Sequence, residues 1–394
     1  MIHTLAITNF RSIHHLVLPL GQLNVITGAN GSGKSNLYRG LRLLAETAQG
    51  NVVGALAREG GLSSVLWAGP EEVSRRMVRG DIPVEGSVRK EAVRLRLGFA
   101  EDELGYAIAF GYPPKSAGFS SVFDLDPQIK SECIWGGLLY RAGAMLVERK
   151  KSAIFVKKGR SKEALSTSTP AYESLFSQLG QNAQCPEVLN MRDIIRNWRF
   201  YDYFRTDRDA PARKPQLGTR TMVLHHDGHD LAAALQTIKE VGNSEALDAA
   251  INDAFPGSRL VINIRDGYFS VELQQTGMLR PLSAPELSDG TLRFLLLSAA
   301  LLTPRPPTLM VLNEPENSLH SDLIPALARL IVEASRFSQI WVISHSHKLV
   351  RCLELEGQCQ TIELDKVLGQ TIVKGQGDPD RLIQPDRPVW HWPD

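Results

Sequence analysis

Residues 1 to 27 read as short strands, the last a compact apolar run of Leu23, Val25 and Ile26 that stops at Gly28. A helix follows, because Leu37, Leu41, Leu44 and Ala48 recur at the spacing of one buried helical face. Residues 92 to 110 read as a hairpin: Val93, Leu95, Leu97 and Phe99 alternate with Arg94 and Arg96, and Tyr106, Ile108 and Phe110 alternate on the return. Further on, the pattern predicts helices from Leu231 to Val241 and from Ser244 to Ala254. Strands are predicted from Arg259 to Ile264 and from Tyr268 to Leu273, around Asp266-Gly267, a strong hairpin-turn dipeptide. Thr291 to Leu302 is an apolar helix, Thr308 to Leu312 and Ile340 to Ser344 are buried strands, and Leu323 to Ala334 is a helix between them. Residues 112 to 220 are less regular, and the Ser- and Thr-rich stretch from Gly159 to Ala171 reads as a loop. There is no internal repeat and no heptad run long enough for a coiled coil. Apolar strands alternating with helices at both ends predict an α/β core assembled from both ends of the chain.

Composition narrows the class without naming it. The 394 residues are 43% hydrophobic and 22% charged, ordinary for a globular chain with a sizeable core. With 44 Lys+Arg against 43 Asp+Glu the net charge is +1, so any attraction to nucleic acid must come from a local patch. The four cysteines, Cys133, Cys185, Cys352 and Cys359, form no CxxC pair and suit a reducing cytosol. The longest greasy run, Phe294 to Leu302, is about half the ~20 residues that span a bilayer. No signal peptide is evident. The expectation is a cytoplasmic protein with no membrane partner.

Gly28-Ala29-Asn30-Gly31-Ser32-Gly33-Lys34-Ser35 fits G-x-x-x-x-G-K-[ST] and sits between a predicted strand and a predicted helix, as that motif requires. Glycines let backbone N–H groups turn inward around phosphates, and the helix N-terminus adds positive potential. Lys34 is placed to reach β- and γ-phosphates, and Ser35 to offer a hydroxyl to Mg²⁺. The candidate nucleotide-binding residues here are Asn30, Gly31, Gly33, Lys34, Ser35 and Asn36.

Three further segments follow in order. Leu287-Ser288-Asp289-Gly290-Thr291 opens an apolar helix. Thr308 to Glu316 is an apolar strand ending in Asn313-Glu314-Pro315-Glu316. Trp341 to Ser346 is a strand ending in His345. With the phosphate loop and the opening Asn9-Phe10-Arg11-Ser12, this order resembles ABC-type ATPases of the RecF/SMC/OLD branch, often labelled AAA family ATPases in bacteria. The segment from Trp198 to Asp207, followed by Asp227-Gly228 and a helix, is similar to those ATPases too.

The resemblance implies an ABC-type P-loop NTPase head: a mixed or parallel core sheet, an antiparallel β-subdomain and a helical lobe, with N- and C-terminal segments co-assembling. The expected division is 1–111 as the N-terminal part of the head, 112–220 as an inserted irregular region, and 221–394 as the C-terminal part. The resemblance also implies roles. Ser288 and Gly290 match the signature that touches the γ-phosphate of ATP held by a partner subunit. Glu314 matches the carboxylate that polarises the attacking water, and His345 the switch histidine. Arg11 lies beside the nucleotide, and Ser318-Leu319-His320 occupies the D-loop position. Asn313 stands where the family usually has the Asp that holds Mg²⁺ through water; an amide accepts a hydrogen bond but carries no charge. No glutamine occupies an obvious Q-loop position.

Three segments invite other readings. His225-His226-Asp227-Gly228-His229-Asp230 looks like a metal cluster, but a turn at Asp227-Gly228 with Asp230 capping the next helix explains it more simply. Arg149, Lys150, Lys151, Lys157, Lys158, Arg160 and Lys162 straddle an apolar stretch and suggest a basic hairpin for phosphate backbones, against a solvated loop. Arg192, Arg196, Arg199, Arg205, Arg208 and Arg213 interleave with aromatics, either as a stacking surface for single strands or, as the simpler reading, as a packed element whose arginines meet internal carboxylates.

The leading expectation is a cytoplasmic ATPase that dimerises head-to-tail on ATP with Mg²⁺ and acts as a switch on DNA or on an effector protein, in DNA maintenance, repair or phage defence. The alternative is a regulatory ATP-binding module with little hydrolysis that controls a separate effector, which Asn313 favours. A transporter ATPase subunit fits poorly, given the long stretch between Gly33 and Leu287 and the missing Q-loop. The stretch after His345 is too short for the Toprim nuclease of OLD-type proteins, so an ATPase without one is expected.

Overall fold

The computed structural model describes residues 1–71, 75–78, 81, 92–114, 122–159, 161–179, 185–375 and 389–393. The chain forms two compact units. The first comprises Met1–Gly21, Thr27–Asn197 and Ile362–Asp394; the second comprises Gln22–Ile26 and Trp198–Thr361. Each unit is thus assembled from segments far apart in sequence.

The strands reach the first unit in the order β1 (Ile2–Phe10), β2 (Ile13–Pro19), β3 (Leu23–Gly28, whose first residues belong to the second unit), β4 (Leu95–Glu101), β5 (Leu104–Gly111), β6 (Gln128–Gly136), β7 (Met145–Lys150), β8 (Ala153–Lys158) and β9 (Ser161–Ser166). All but β3 form one antiparallel sheet, β2-β1-β4-β5-β6-β7-β8-β9. The predicted hairpin is β4–β5, with Leu95 opposite Phe110, Leu97 opposite Ile108 and Phe99 opposite Tyr106. Those six side chains are buried on one face. The helix Lys34–Thr47 packs on that face, and Gly40 permits its approach: a Cβ there would stand 2.9 Å from the Ile7 side chain. On the other face Ala107, Cys133, Trp135 and Met145 hold Trp390 and Trp392.

Residues 112–220 are more regular than their pattern predicts: they carry β6 to β9 and the helices Leu175–Leu179 and Pro186–Arg196. The stretch read as a loop from Gly159 contains β9, paired antiparallel with β8. It escapes periodicity because it is an edge strand whose first four residues are exposed, so no buried face is written into it.

The second unit is layered on four parallel strands. In chain order its strands are β10 (Arg199–Tyr201), β11 (Gln216–Leu217), β12 (Arg259–Arg265), β13 (Tyr268–Gln274), β14 (Leu282–Ser283), β15 (Leu309–Asn313) and β16 (Gln339–Ile343). The parallel order is β10-β15-β16-β3. The central strands β15 and β16 are near-continuous apolar runs, as strands covered on both faces must be. Asn313 is level with Ile343, and Ile343 with Ile26, so three strands end together. The helix Asp289–Leu301 is buried at every position from Leu292 to Leu301, which is why its pattern is apolar all round rather than striped. The Asp266-Gly267 turn joins β12 to β13 with both residues at positive φ, 50° and 79°. No helix among the described residues is long and apolar enough to cross a membrane.

Candidate functional site

In the first unit, β3 runs directly into the loop Gly28–Ser35. Gly31 and Gly33 have φ of 81° and 108°, left-handed positions that turn backbone N–H groups inward and that L side chains resist. The loop is also tightly walled. A Cβ on Gly28 would lie 2.2 Å from the Leu364 carbonyl, and one on Gly33 2.0 Å from Thr371 Oγ1. Leu364 and Thr371 belong to a C-terminal hairpin, β17 (Gln360–Val367) and β18 (Gln370–Val373). Thr371 Oγ1 donates to the Ser32 carbonyl at 2.9 Å and lies 2.6 Å from Ser12 Oγ, which accepts from Asn36 Nδ2 at 2.8 Å. No motif marks Thr371; only the fold brings it to the loop.

Three observations show that the loop suits a phosphate. The buried Lys34 ammonium donates to the carbonyls of Gly28 at 2.6 Å and Ala29 at 2.9 Å. The following helix starts at Gly33, which offers no side-chain cap, and its first turn has no acid. Ser32 Oγ is buried without a hydrogen-bond partner. A polyanion would meet a cation, an uncapped helix N-terminus and a free hydroxyl. Arg11, with φ of 52°, pairs its guanidinium with Glu59, which also receives Arg39.

In the second unit Glu314 and His345 meet. Glu314 follows the end of β15 at φ 49°, a left-handed backbone rare for a residue with a side chain. Three contacts hold it there. Its N–H donates to the Ile343 carbonyl at 2.8 Å, and its carbonyl accepts from Asn317 N at 3.1 Å and from the buried Arg293 guanidinium at 3.0 Å. Its carboxylate is half-buried. Oε2 accepts from Asn317 Nδ2 at 2.6 Å, and Oε1 lies 3.0 Å from His345 Nε2. The two candidate catalytic side chains therefore touch, across the level ends of β15 and β16.

Glu316 lies below them. Its Oε1 accepts from Ser344 Oγ, from His345 N at 3.1 Å and from Ser346 N at 3.1 Å. The signature turn has its own support. Ser288 caps its helix, accepting from Thr291 N at 3.1 Å. Gly290 is required because a Cβ would come 2.9 Å from the Ser318 carbonyl of the D-loop segment. Arg213, almost fully buried, donates to the carbonyls of Ala284 and Leu287 at 2.7 Å each and to Asp289 Oδ1 at 2.7 Å. Sequence reasoning missed the roles of Arg213, Arg293 and Glu316. For Arg293 a signal existed, a charge inside an otherwise apolar helix.

The other segments resolve as follows. Arg149 is not a surface cation: it is buried and donates to the carbonyls of Lys151, Pro170 and Glu173. Lys150 and Lys162 both pair with Glu148, at 3.2 and 2.9 Å, and Lys158 pairs with Glu163 at 2.9 Å. Arg160 lies outside the described residues. The Arg-rich aromatic segment is largely packed, with Trp198, Tyr201 and Phe204 buried and Arg205 and Arg213 on Asp207 and Asp289. His225, Asp227 and His229 do cluster: Asp227 Oδ1 lies 2.7 Å from Nδ1 of each histidine. Partial burial raises the Asp227 pKa, but the His229 N–H and the two imidazoles outweigh it and hold the carboxyl below its ordinary range. Asp230 does not cap its helix; its carboxylate takes the His225 N–H instead, at 3.0 Å.

A family profile described as "AAA domain, putative AbiEii toxin, Type IV TA system" matches residues 23–116 and 161–351, well over half the chain. The chain belongs to this AAA domain family. The matched residues include the phosphate loop, the signature turn, Glu314 and His345, and the fold is that of a nucleotide-binding ATPase of this AAA domain family. Among solved structures, the chain is similar to an SMC head bound to the C-winged helix domain of ScpA, at 15% identity and a TM-score of 0.49, covering 94% of this chain and 97% of that one. The SMC head domain from Thermotoga maritima gives 15% identity, a TM-score of 0.45 and the same coverage. An SMC head with an extended coiled coil bound to the C-terminal domain of ScpA, derived from Pyrococcus furiosus, gives 15% identity and 0.47, covering 94% and 95%. No curated protein matches the AAA domain chain.

Proposed function

We propose that this AAA domain chain binds ATP with Mg²⁺ at the Gly28–Ser35 loop and hydrolyses it, and that the nucleotide switches it between monomer and head-to-tail homodimer. The observation that carries this is the meeting of Glu314 and His345 at 3.0 Å. Phosphoryl transfer asks for an oriented water and for charge neutralisation rather than covalent help. Glu314 Oε1 accepts a proton from that water. His345 Nε2 shares the same oxygen and fixes its direction, and the strained backbone at Glu314 keeps the carboxylate at the strand end. Lys34 and the loop N–H groups neutralise β- and γ-phosphate charge; Asn30, Gly31, Gly33 and Asn36 shape the cradle.

Bound Mg²⁺ would neutralise phosphate oxygens. Ser35 would supply it a hydroxyl ligand, and Asn313 would offer a neutral amide acceptor where a charged carboxylate is expected. Ser288 and Gly290 face the γ-phosphate of the second copy. Their helix N-terminus becomes useful only across such an interface. The family description names a type IV toxin–antitoxin system, which favours a role in defence over DNA repair. The basic hairpin gives DNA weak support, since Glu148 and Glu163 already take three of its lysines.

The second reading, an ATP-binding regulator of a separate effector with little turnover, is favoured by Asn313 alone. Dimerisation is common to both readings. Light scattering on Glu314→Gln with saturating Mg-ATP should give twice the monomer mass, and Ser288→Arg should abolish the increase. A Glu314→Gln protein that stays monomeric contradicts the composite-site proposal.

A further inference from the structure

We infer that Glu316 is a positioning residue that holds the backbone of His345, an inference that rests on the proposed role of His345. In a sequence ending Asn313-Glu314-Pro315-Glu316, two carboxylates compete for attention, and Glu316 invites the reading of a metal ligand in place of Asn313. The geometry points elsewhere. One oxygen, Oε1, collects three donors from three consecutive residues: Ser344 Oγ, His345 N at 3.1 Å and Ser346 N at 3.1 Å. Ser346 N also reaches Ser344 Oγ at 2.9 Å, which closes the ring. The chain leaves β16 here, so these N–H groups have no ladder partner beyond Ser344, and a carboxylate supplies what the sheet no longer does.

The second oxygen, Oε2, is buried with no hydrogen-bond partner, an expensive arrangement unless a nearby charge compensates. That charge is Arg293. Burial lowers its pKa, and the Glu316 carboxylate is the largest influence opposing the shift. Arg293 in turn holds the carbonyls of Glu314 and Pro315, at 3.0 and 3.4 Å. One buried cation and one half-buried anion thus fix the backbones of the two candidate catalytic residues. Arg293 holds Glu314, and Glu316 holds His345. The imidazole keeps its place on Glu314 only while its own peptide N–H is anchored.

The test separates the acceptor from the charge. Glu316→Ala removes both, whereas Glu316→Gln retains an oxygen that accepts the same N–H groups. Hydrogen–deuterium exchange at His345 and Ser346 reads the anchor without any need for turnover. Exchange should accelerate at least about tenfold in Glu316→Ala, while Ile340 to Ile343 of β16 stay protected; in Glu316→Gln it should stay within about threefold of wild type. In the ATPase assay kcat should fall on the order of a hundredfold in Glu316→Ala, with KM within about twofold, and recover most of the loss in Glu316→Gln. If Glu316→Ala does not fold, the Gln protein decides by the same two limits. Unchanged exchange at His345 and Ser346 in the Ala protein, or a Gln protein as fast-exchanging as the Ala protein, overturns the inference. A wild type without ATPase activity but with the expected exchange pattern would overturn the catalytic proposal and leave the anchor standing.

Discussion

The phosphate loop and the Glu314–His345 constellation solve positioning in opposite ways. The loop is eight consecutive residues whose shape comes from glycine backbones at positive φ and from a helix N-terminus that follows without a break. Its function is written in its own sequence. The second unit draws Ser288, Glu314 and His345 from three distant segments. Its geometry depends on strand register and on three side chains outside the expected motif roles: Arg213 beneath the signature turn, Arg293 on Glu314 and Glu316 on His345. A contiguous site tolerates changes around it but not in it. A dispersed site is as fragile at its supports as at its reacting groups.

That contrast can be broken from either side. The largest effect is expected inside the loop. Lys34→Ala removes a buried ammonium and should weaken ATP binding by on the order of a hundredfold, with the circular dichroism spectrum unchanged. Wild-type affinity by calorimetry would remove the loop from the account. Next comes a support. Arg213→Ala leaves several buried carbonyls and Asp289 without their cation and should cost about 3 kcal/mol of stability by chemical denaturation, with nucleotide affinity of the loop retained. A loss below about 1 kcal/mol would show that the signature turn holds itself.

The smallest effect belongs to a buried carboxylate in the antiparallel sheet of the first unit. Glu132 accepts from Tyr106 Oη, Ser174 Oγ and Leu175 N, yet burial raises its pKa above the ordinary carboxylate value. A raised acid pKa means that the folded state binds the proton more readily than the unfolded one. Its stabilising contribution is complete below the ordinary carboxylate value and is lost as pH climbs through the raised one. Glu132→Gln should therefore flatten that part of the pH–stability curve. An identical slope in both proteins would place the titration elsewhere.

Much of this was legible in the sequence because periodicity and motifs record local decisions. The helix Leu231–Val241, the turn at Asp266-Gly267 and the buried strand β16 follow from patterning. The phosphate loop follows from spacing. What escaped was non-local. Edge strand β9 has no buried face to announce it, and Thr371 reaches the loop from the far end of the chain. Arg149 looked like surface charge because its partners are backbone carbonyls, which no sequence pattern marks. Asp230 sits at a capping position but spends its carboxylate on His225 N. Glu316 was visible as a carboxylate, but its work on three donors of the next strand's end was not.

Steady-state phosphate release at saturating Mg-ATP, compared between wild type and Glu314→Gln, tests the central claim most directly. The account predicts measurable turnover in wild type that falls on the order of a hundredfold when Glu314 loses its charge, with ATP affinity unchanged. Equal rates in the two proteins, or no turnover in either, would contradict it.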